Sequence, residues 1–359
     1  MAAVRVLIVD DSRVVREVLR DLLDSHPGID VVGVAEDPFE ARDLIKKLNP
    51  DLITLDVEMP RMDGITFLRN LMRLRPMPVL MLSSLTQAGA EVTLDALEAG
   101  AVDFMPKPAR DADDDALDDF RTLLCDKVLA AASAPIRQRQ LDRSRVAPVS
   151  APAAVLPTEL VRNGLIGIGA STGGTVALLE VLRALPTQLP PIVITQHIPA
   201  AFSERLAKRI DEASRIRVSE LVDGEKLLPS HAYLAPGDRH LKVEKRGGQL
   251  IGRVLDSDKV NRHRPSVEVM FDSCRAVPAR NLALVMLTGM GEDGAETMAE
   301  MRRSGVFTIA QDKASSIVWG MPGAVVNRDG AEQVLPLQSI APALVEHFKA
   351  KADRLESGA

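Results

Sequence analysis

Ser171 stands between two glycines in Gly169-Ala170-Ser171-Thr172-Gly173, a G-x-S-x-G spacing after the apolar run Leu165-Ile166-Gly167-Ile168. Small neighbours at those positions let a serine sit on a tight strand-to-helix turn with its hydroxyl exposed, as in a nucleophile elbow. The helical pattern that follows, Val176-Ala177-Leu178-Leu179, would offer N–H groups to negative charge forming there. With Gly167 the same glycines also fit a dinucleotide-binding turn, and a structural turn fits equally. A serine hydroxyl becomes a nucleophile when an imidazole takes its proton and a carboxylate orients that imidazole. Of the six histidines only His197 directly ends a well-defined strand pattern, Pro191–Thr195, which runs into Gln196-His197. The strand pattern 281–287 ends in Thr288-Gly289-Met290-Gly291-Glu292-Asp293-Gly294, where spacing does not choose between Glu292 and Asp293. The order Ser, His, acid differs from the Ser, acid, His of ordinary α/β-hydrolases and implies another hydrolase fold. A dinucleotide site would want an acidic residue ending its second strand, where Gln196 and His197 stand instead.

A second set of reactive residues lies earlier in the chain. Val4–Val9 runs into Asp10-Asp11, Asp51–Leu55 into Asp56, Val79–Leu82 into Ser83-Ser84, and Ala101–Met105 into Pro106-Lys107. Three carboxylates form a hard oxygen site suited to Mg²⁺, with Asp56 as a carboxylate nucleophile and Ser83 and Lys107 on phosphoryl oxygens. Each Asp or Ser taken singly also reads as a helix cap. Several strand ends carrying such residues together favour a site.

These residues need strands that deliver them to one edge. Strand patterns alternating with helix-length segments imply parallel sheets with helices on both faces, and ligands bind such sheets beyond the strands' carboxyl ends. The expected fold is α/β, with two doubly wound parallel-sheet domains over residues 1–130 and 158–350. Between them the periodicity stops, and residues 131–157, rich in Pro, Ala, Ser, Gln and Arg, read as a linker. Arg137, Arg139, Arg143 and Arg145 there read as a solvated basic spacer.

Composition excludes several classes. A net charge of -6 argues against bulk attraction to nucleic acid or anionic membrane. No apolar run is long enough to span a bilayer and no signal peptide is visible, so a cytoplasmic location without membrane insertion is expected. Cys125 and Cys274 have no metal-ligand spacing and read as ordinary thiols.

Through Val9-Asp10-Asp11-Ser12, Leu55-Asp56-Val57-Glu58-Met59-Pro60, Met62-Asp63-Gly64, Leu82-Ser83-Ser84 and Lys107-Pro108, the first domain resembles a response-regulator receiver domain, flavodoxin-like in fold. The resemblance implies phosphorylation of Asp56 by a partner histidine kinase, with Mg²⁺ on Asp10 or Asp11, Asp56 and the carbonyl of Glu58. It also implies switch roles for Ser83, Phe104 and Lys107, and a cis bond before Pro108.

Ile168–Gly174, Gln196-His197-Ile198-Pro199, Ala235–Leu241, His263–Val267, Thr288–Gly294, Ala310-Gln311-Asp312 and Gly320-Met321-Pro322 resemble the catalytic domain of the chemotaxis protein-glutamate methylesterases. That resemblance implies Ser171 as nucleophile, His197 as general base, Asp293 as orienting acid, and Met290 and Thr172 in the oxyanion hole, with no cofactor in this domain. It implies hydrolysis of glutamyl methyl esters on chemoreceptor helices, deamidation of receptor glutamines, and a receiver that restrains the hydrolase until Asp56 is phosphorylated. Glu292 stands where that family more often has Asn, putting a second carboxylate beside Asp293. Other classes remain at this stage: a dinucleotide-dependent enzyme, or a regulator that acts by binding alone.

Overall fold

In the computed structural model the described residues are 2–83, 87–108, 113–134 and 158–356. The chain divides into two compact units, Met1–Asp142 and Arg143–Ala359. Ser84 and the arginine-bearing linker beyond residue 134 lie outside the described residues.

The first unit alternates β1 (Val4–Val9), α1 (Arg13–Asp24), β2 (Ile29–Ala35), α2 (Pro38–Leu48), β3 (Leu52–Asp56), α3 (Gly64–Leu74), β4 (Val79–Ser83), α4 (Gln87–Ala99), β5 (Asp103–Pro106) and α5 (Asp114–Ala132). Its sheet has the order β2-β1-β3-β4-β5, and every pairing is parallel. Such strands are covered on both faces, which is why β3 and β4 are buried along their whole length and read as unbroken apolar runs. Helix starts follow side-chain chemistry. Ser12 caps α1 through Val15, Asp63 caps α3 through Thr66, and Asp113 caps α5 through Ala116. Two expectations change here. Ala131 and Ala132, assigned to the linker, continue α5, with Ala131 buried among Leu124, Cys125 and Val128. Among the described residues the cis peptide bond lies at Arg264–Pro265, not before Pro108.

The second unit begins with α6 (Thr158–Asn163), β6 (Leu165–Ala170), α7 (Gly174–Ala184), β7 (Ile192–Gln196), α8 (Ala200–Ala213), β8 (Arg217–Glu220) and β9 (His231–Leu234). An antiparallel hairpin of β10 (His240–Arg246) and β11 (Gln249–Leu255) follows, then α9 (Val267–Ser273). The chain closes with β12 (Leu282–Met286), α10 (Ala295–Arg303), β13 (Phe307–Gln311), α11 (Met321–Asn327), β14 (Gln333–Leu335) and α12 (Leu337–Glu356). Seven strands make one parallel sheet in the order β14-β13-β12-β6-β7-β9-β8. The hairpin departs from the expected plain α/β alternation, and its apolar face joins the core through Leu241, Val243 and Leu250.

In both sheets the strand order turns around a central strand, opening a crevice at the carboxyl edge. In the first unit the crevice falls between β1 and β3, and in the second around β6, flanked by β7 and β12. The reactive residues sit at these two edges.

Candidate functional site

At the first edge Asp10 follows β1 and Asp56 ends β3. Both are buried, and Lys107 Nζ bridges them, 2.8 Å from Asp10 Oδ2 and 2.8 Å from Asp56 Oδ2. Asp10 Oδ1 accepts from Ser12 N–H at 2.9 Å, and Glu58 N–H donates to Asp56 Oδ1 at 3.3 Å. Neither carboxylate is the cap of its helix; Ser12 is the cap of α1. Asp11, exposed, completes a group whose ligand atoms lie within 4.8 Å of one another. Burial raises the Asp56 carboxyl to about 6, with the Lys107 hydrogen bond pulling the other way and the Asp10 charge pushing it up again. Lys107 is raised: burial alone would lower it, but hydrogen bonds and charge from Asp10 and Asp56 prevail. One ammonium facing this acidic group leaves it short of positive charge, so its hard oxygen donors fit a divalent cation such as Mg²⁺. Ser83 and Phe104 are both buried, on neighbouring strands, and Lys107 N–H donates to Ser83 O at 2.9 Å.

At the second edge β6 and β7 pair in parallel with Ala170 opposite Gln196, so Ser171 and His197 emerge one residue beyond paired neighbours. His197 N–H donates to Ala170 O at 3.1 Å, and Gln196 Nε2 donates to Ser171 O at 2.9 Å and to His197 O at 3.1 Å. Gln196 thus ties the two strand ends together rather than offering its amide N–H groups to a ribose. Ser171 N–H donates to Thr288 O at 3.0 Å, which fastens the elbow to the loop after β12. Gly289 must be glycine there, since a Cβ would fall 2.8 Å from Ser171 Cβ. Gly173 takes φ 75°, the left-handed turn that launches α7 directly behind the serine.

His197 Nε2 meets Asp293 Oδ2 at 2.9 Å, while its Nδ1 is buried with no hydrogen-bond partner. Asp293 is 2% exposed and collects further donors: Asn261 Nδ2 at 2.8 Å, Ser266 Oγ at 2.8 Å, Val267 N–H at 2.6 Å and Glu268 N–H at 3.3 Å. Burial would raise this carboxyl, but the hydrogen bond and charge of His197, with Asn261 and Ser266, hold it well below the usual range. The His197 ring stacks on His263, with centroids 3.7 Å apart and planes 10° apart. Met290 follows Gly289 in the loop beside Ser171, and Thr172 is buried immediately after it, its carbonyl accepting from Thr288 Oγ1 at 3.0 Å. Glu292, adjacent to Asp293, points its carboxylate to Arg328 Nη2 at 2.5 Å and is 69% exposed, so the two carboxylates lead separate lives.

Asn261 and Ser266, which donate to Asp293, and His263, stacked on His197, were not among the site residues expected from the sequence. Ser266 does cap α9, yet the same hydroxyl donates to Asp293. A serine just before an apolar helical run was the available signal. His240 begins β10 and is fully buried, with Nδ1 accepting from Ser266 N–H at 3.2 Å and Nε2 2.9 Å from Asp258 O. His231 lies 2.8 Å from Ser219 Oγ through Nε2. Cys125 and Cys274 are buried free thiols.

A receiver-type acidic edge on one parallel sheet and a Ser, His, Asp edge on another define a class, the hydrolase coupled to a response-regulator receiver. A family model described as CheB methylesterase matches residues 166–344, and one described as response regulator receiver domain matches residues 6–116. Over 97% of its length the chain is 49% identical to a protein-glutamate methylesterase/protein-glutamine glutaminase of Saccharophagus degradans, covering 99% of that protein. A relative of the same description from Cupriavidus metallidurans is 46% identical, with 99% of each chain covered. The crystal structure of the Thermotoga maritima CheB methylesterase catalytic domain superimposes with a TM-score of 0.50 at 36% identity, covering 52% of this chain and 99% of that one. The chain belongs to the protein-glutamate methylesterase/protein-glutamine glutaminase family.

Proposed function

We propose that the second unit hydrolyses glutamyl methyl esters in proteins and deamidates protein glutamines, and that the first gates it through phosphorylation of Asp56. The observation that carries the hydrolase reading is the His197 ring, engaged through Nε2 by Asp293 and holding an unpartnered buried Nδ1 at the strand end beside Ser171. With Nε2–H donating to the Asp293 carboxylate, Nδ1 keeps its lone pair and acts as general base. Ser171 Oγ passes its proton to Nδ1 as it attacks the γ-carbonyl carbon. The oxyanion forms against the backbone N–H groups of Met290 and Thr172, each such donor worth roughly 3 kcal/mol of barrier. Collapse breaks the bond to methoxide, which leaves as methanol with the proton from His197. Water then attacks the acyl-enzyme, giving up a proton to His197, and releases glutamate and the Ser171 hydroxyl. With glutamine the leaving group is ammonia, and the remaining steps are the same.

In the receiver, Asp10 or Asp11, Asp56 and the Glu58 carbonyl would hold Mg²⁺, which would supply charge neutralisation for the phosphoryl group. Lys107 and Ser83 take phosphoryl oxygens, and Phe104 rearranges with Ser83. The phosphodonor is a histidine kinase, and the substrates are methylated chemoreceptor segments, met in the cytoplasm. No described helix is long and apolar enough to cross a membrane. The test is methanol release from methylated chemoreceptor membranes with Mg²⁺, with and without a small-molecule phosphodonor. Release that rises with the donor supports esterase and gate together; release that is equal in a receiver-deleted form and the unphosphorylated chain removes the gate.

A further inference from the structure

A single hydrogen bond does not fix the plane of a ring. The contact of His197 Nε2 with Asp293 Oδ2 at 2.9 Å anchors one edge of the imidazole, which can still swing and twist about that point. Its Nδ1 has no hydrogen bond to steady the opposite edge. Gln196 ties the carbonyls of Ser171 and His197, so it holds backbone and leaves the imidazole free to turn. General-base action needs Nδ1 aimed at Ser171, and a misplacement of about 1 Å can cost about 10²-fold in rate. Another contact has to set the plane.

The ring of His263 lies flat against that of His197, with centroids 3.7 Å apart and planes 10° apart. This is van der Waals contact across a whole face, so the His197 ring has no room to twist out of its plane or to swing toward His263. A tight turn puts the second ring there. Val260 N–H donates to His263 O at 3.0 Å and His263 N–H to Val260 O at 2.9 Å, while Asn261 and Arg262 between them take φ of 52° and 67°. Left-handed backbone at both central positions is the hairpin geometry that Asn and Gly supply most readily. Asn261 suits it, whereas Arg262 adopts it at a cost in free energy.

What the turn delivers stands on either side of Arg262. Asn261 Nδ2 donates to Asp293 Oδ1 at 2.8 Å, and His263 covers His197, so one turn touches both members of the His197–Asp293 pair. The chain is fastened before and after it. Asp258 O lies 2.9 Å from Nε2 of the buried His240, Ser266 Oγ donates to Asp293 Oδ1 at 2.8 Å, and Arg264 Nη1 reaches Asp256 Oδ1 at 3.0 Å and Ser257 O at 2.9 Å.

We infer that His263 is a positioning residue for the hydrolysis, its ring setting the plane of His197 so that Nδ1 is presented to Ser171. The inference rests on the esterase reading above. The role needs a flat, rigid face at stacking distance, and no proton passes through His263.

The kinetic test uses the full chain with Mg²⁺ and a small-molecule phosphodonor, on a methylated soluble chemoreceptor fragment varied in concentration. His263→Leu keeps apolar bulk but has no flat face. It should lower kcat about tenfold with KM unchanged, equivalent to about 1.4 kcal/mol. His263→Phe restores a planar ring that cannot carry a proton, and kcat should return to within about threefold of the unmodified protein. An unchanged kcat in His263→Leu, a loss that appears in KM instead, or a folded His263→Phe no better than His263→Leu overturns the proposal. If His263→Leu does not fold, His263→Phe decides: a fall of about tenfold or more in its kcat overturns the proposal.

A second arm reads the His197 ring directly, by NMR of selectively labelled histidines in Ser171→Ala, with His197 assigned by its loss in His197→Gln. The His263 ring should shift the His197 C–H protons upfield, and the Nε2–H in the bond to Asp293 should give a sharp downfield signal. Adding His263→Leu should remove the upfield shift and broaden the Nε2–H signal, and adding His263→Phe should keep both. A sharp, unmoved Nε2–H signal beside Leu overturns the positioning role. If the unmodified protein hydrolyses no ester the esterase reading falls, and this arm alone decides whether His263 sets the ring.

Discussion

Asp56 and Asp293 are both 2% exposed, both lie at the carboxyl edge of a parallel sheet, and both touch a basic side chain, yet their carboxyls shift in opposite directions. Asp56 is raised to about 6 and Asp293 is held low. Burial pushes both up, so burial does not separate them. The difference is the supply of donors. Asp293 draws Asn261, Ser266 and two backbone N–H groups in addition to His197. Asp56 has Lys107, shared with a second carboxylate, and one long contact from Glu58 N–H. Asp293, proposed to orient the His197 imidazole, is given the counter-dipoles that keep it charged. Asp56, proposed to receive a phosphoryl group, is left in deficit.

The largest effect expected from breaking either side falls on Ser171, the proposed nucleophile. Ser171→Ala should lower methanol release by roughly 10⁴–10⁶-fold, as loss of a nucleophile does in other triads. Phosphorylation of Asp56 from a small donor, followed on Phos-tag gels, should survive it. Loss of both would mean that the two edges are not chemically separate.

Asp293→Asn comes next, with a fall of roughly 10⁴-fold in kcat. The amide would keep the shape but present an N–H to His197 Nε2 or bring the wrong tautomer, so Nδ1 would lose its lone pair. A small effect, in rates measured at several pH values, would move the orienting role elsewhere; Glu292, paired with Arg328, is the obvious neighbour.

Asp56→Asn sharpens the contrast through stability. Its folded pKa lies above the unfolded value of 3.8, so its contribution is fully present below about pH 4 and is lost as pH rises through about 6. At pH 7 without divalent metal, the Asn variant should therefore be more stable by about 2–3 kcal/mol, with the gap closing near pH 4. Calorimetry of the full chain across that range checks it, and Mg²⁺ should narrow the gap at pH 7. Stimulation by phosphodonor should be absent at every pH.

How much of this was visible in the sequence follows the same division. The parallel sheets were legible because covered strands are continuous apolar runs ending abruptly in polar residues, as at Val9-Asp10 and Leu55-Asp56. β2, with its half-buried Val31–Val34, and the hairpin β10–β11 lack that contrast and were not picked out. Ser171, His197 and Asp293 were legible as strand-end residues, and the structure brings the last two into contact. The donors around Asp293 were not, because Asn261 and Ser266 reach it from 32 and 27 residues away, across a hairpin-to-helix connection with no periodic signal.

Ser266→Ala tests whether those unseen donors matter, and its expected effect is the smallest. Its hydroxyl has two tasks, accepting from Val269 N–H at 3.5 Å as the cap of α9 and donating to Asp293 Oδ1 at 2.8 Å. Together they should contribute about 1–2 kcal/mol of stability and a several-fold change in kcat through the tilt of the imidazole. The two tasks differ in pH dependence. The cap serves α9 whatever the charge of Asp293. The bond to the carboxylate helps hold the folded pKa below the unfolded one, so its contribution is present above the unfolded value of 3.8 and is lost as pH falls through the lower folded value. Urea unfolding of wild type and variant from neutral to strongly acid pH should therefore show a difference that shrinks on the acid side. A difference constant with pH would reduce Ser266 to a helix cap and leave Asn261 and the backbone of α9 as the groups that keep Asp293 charged.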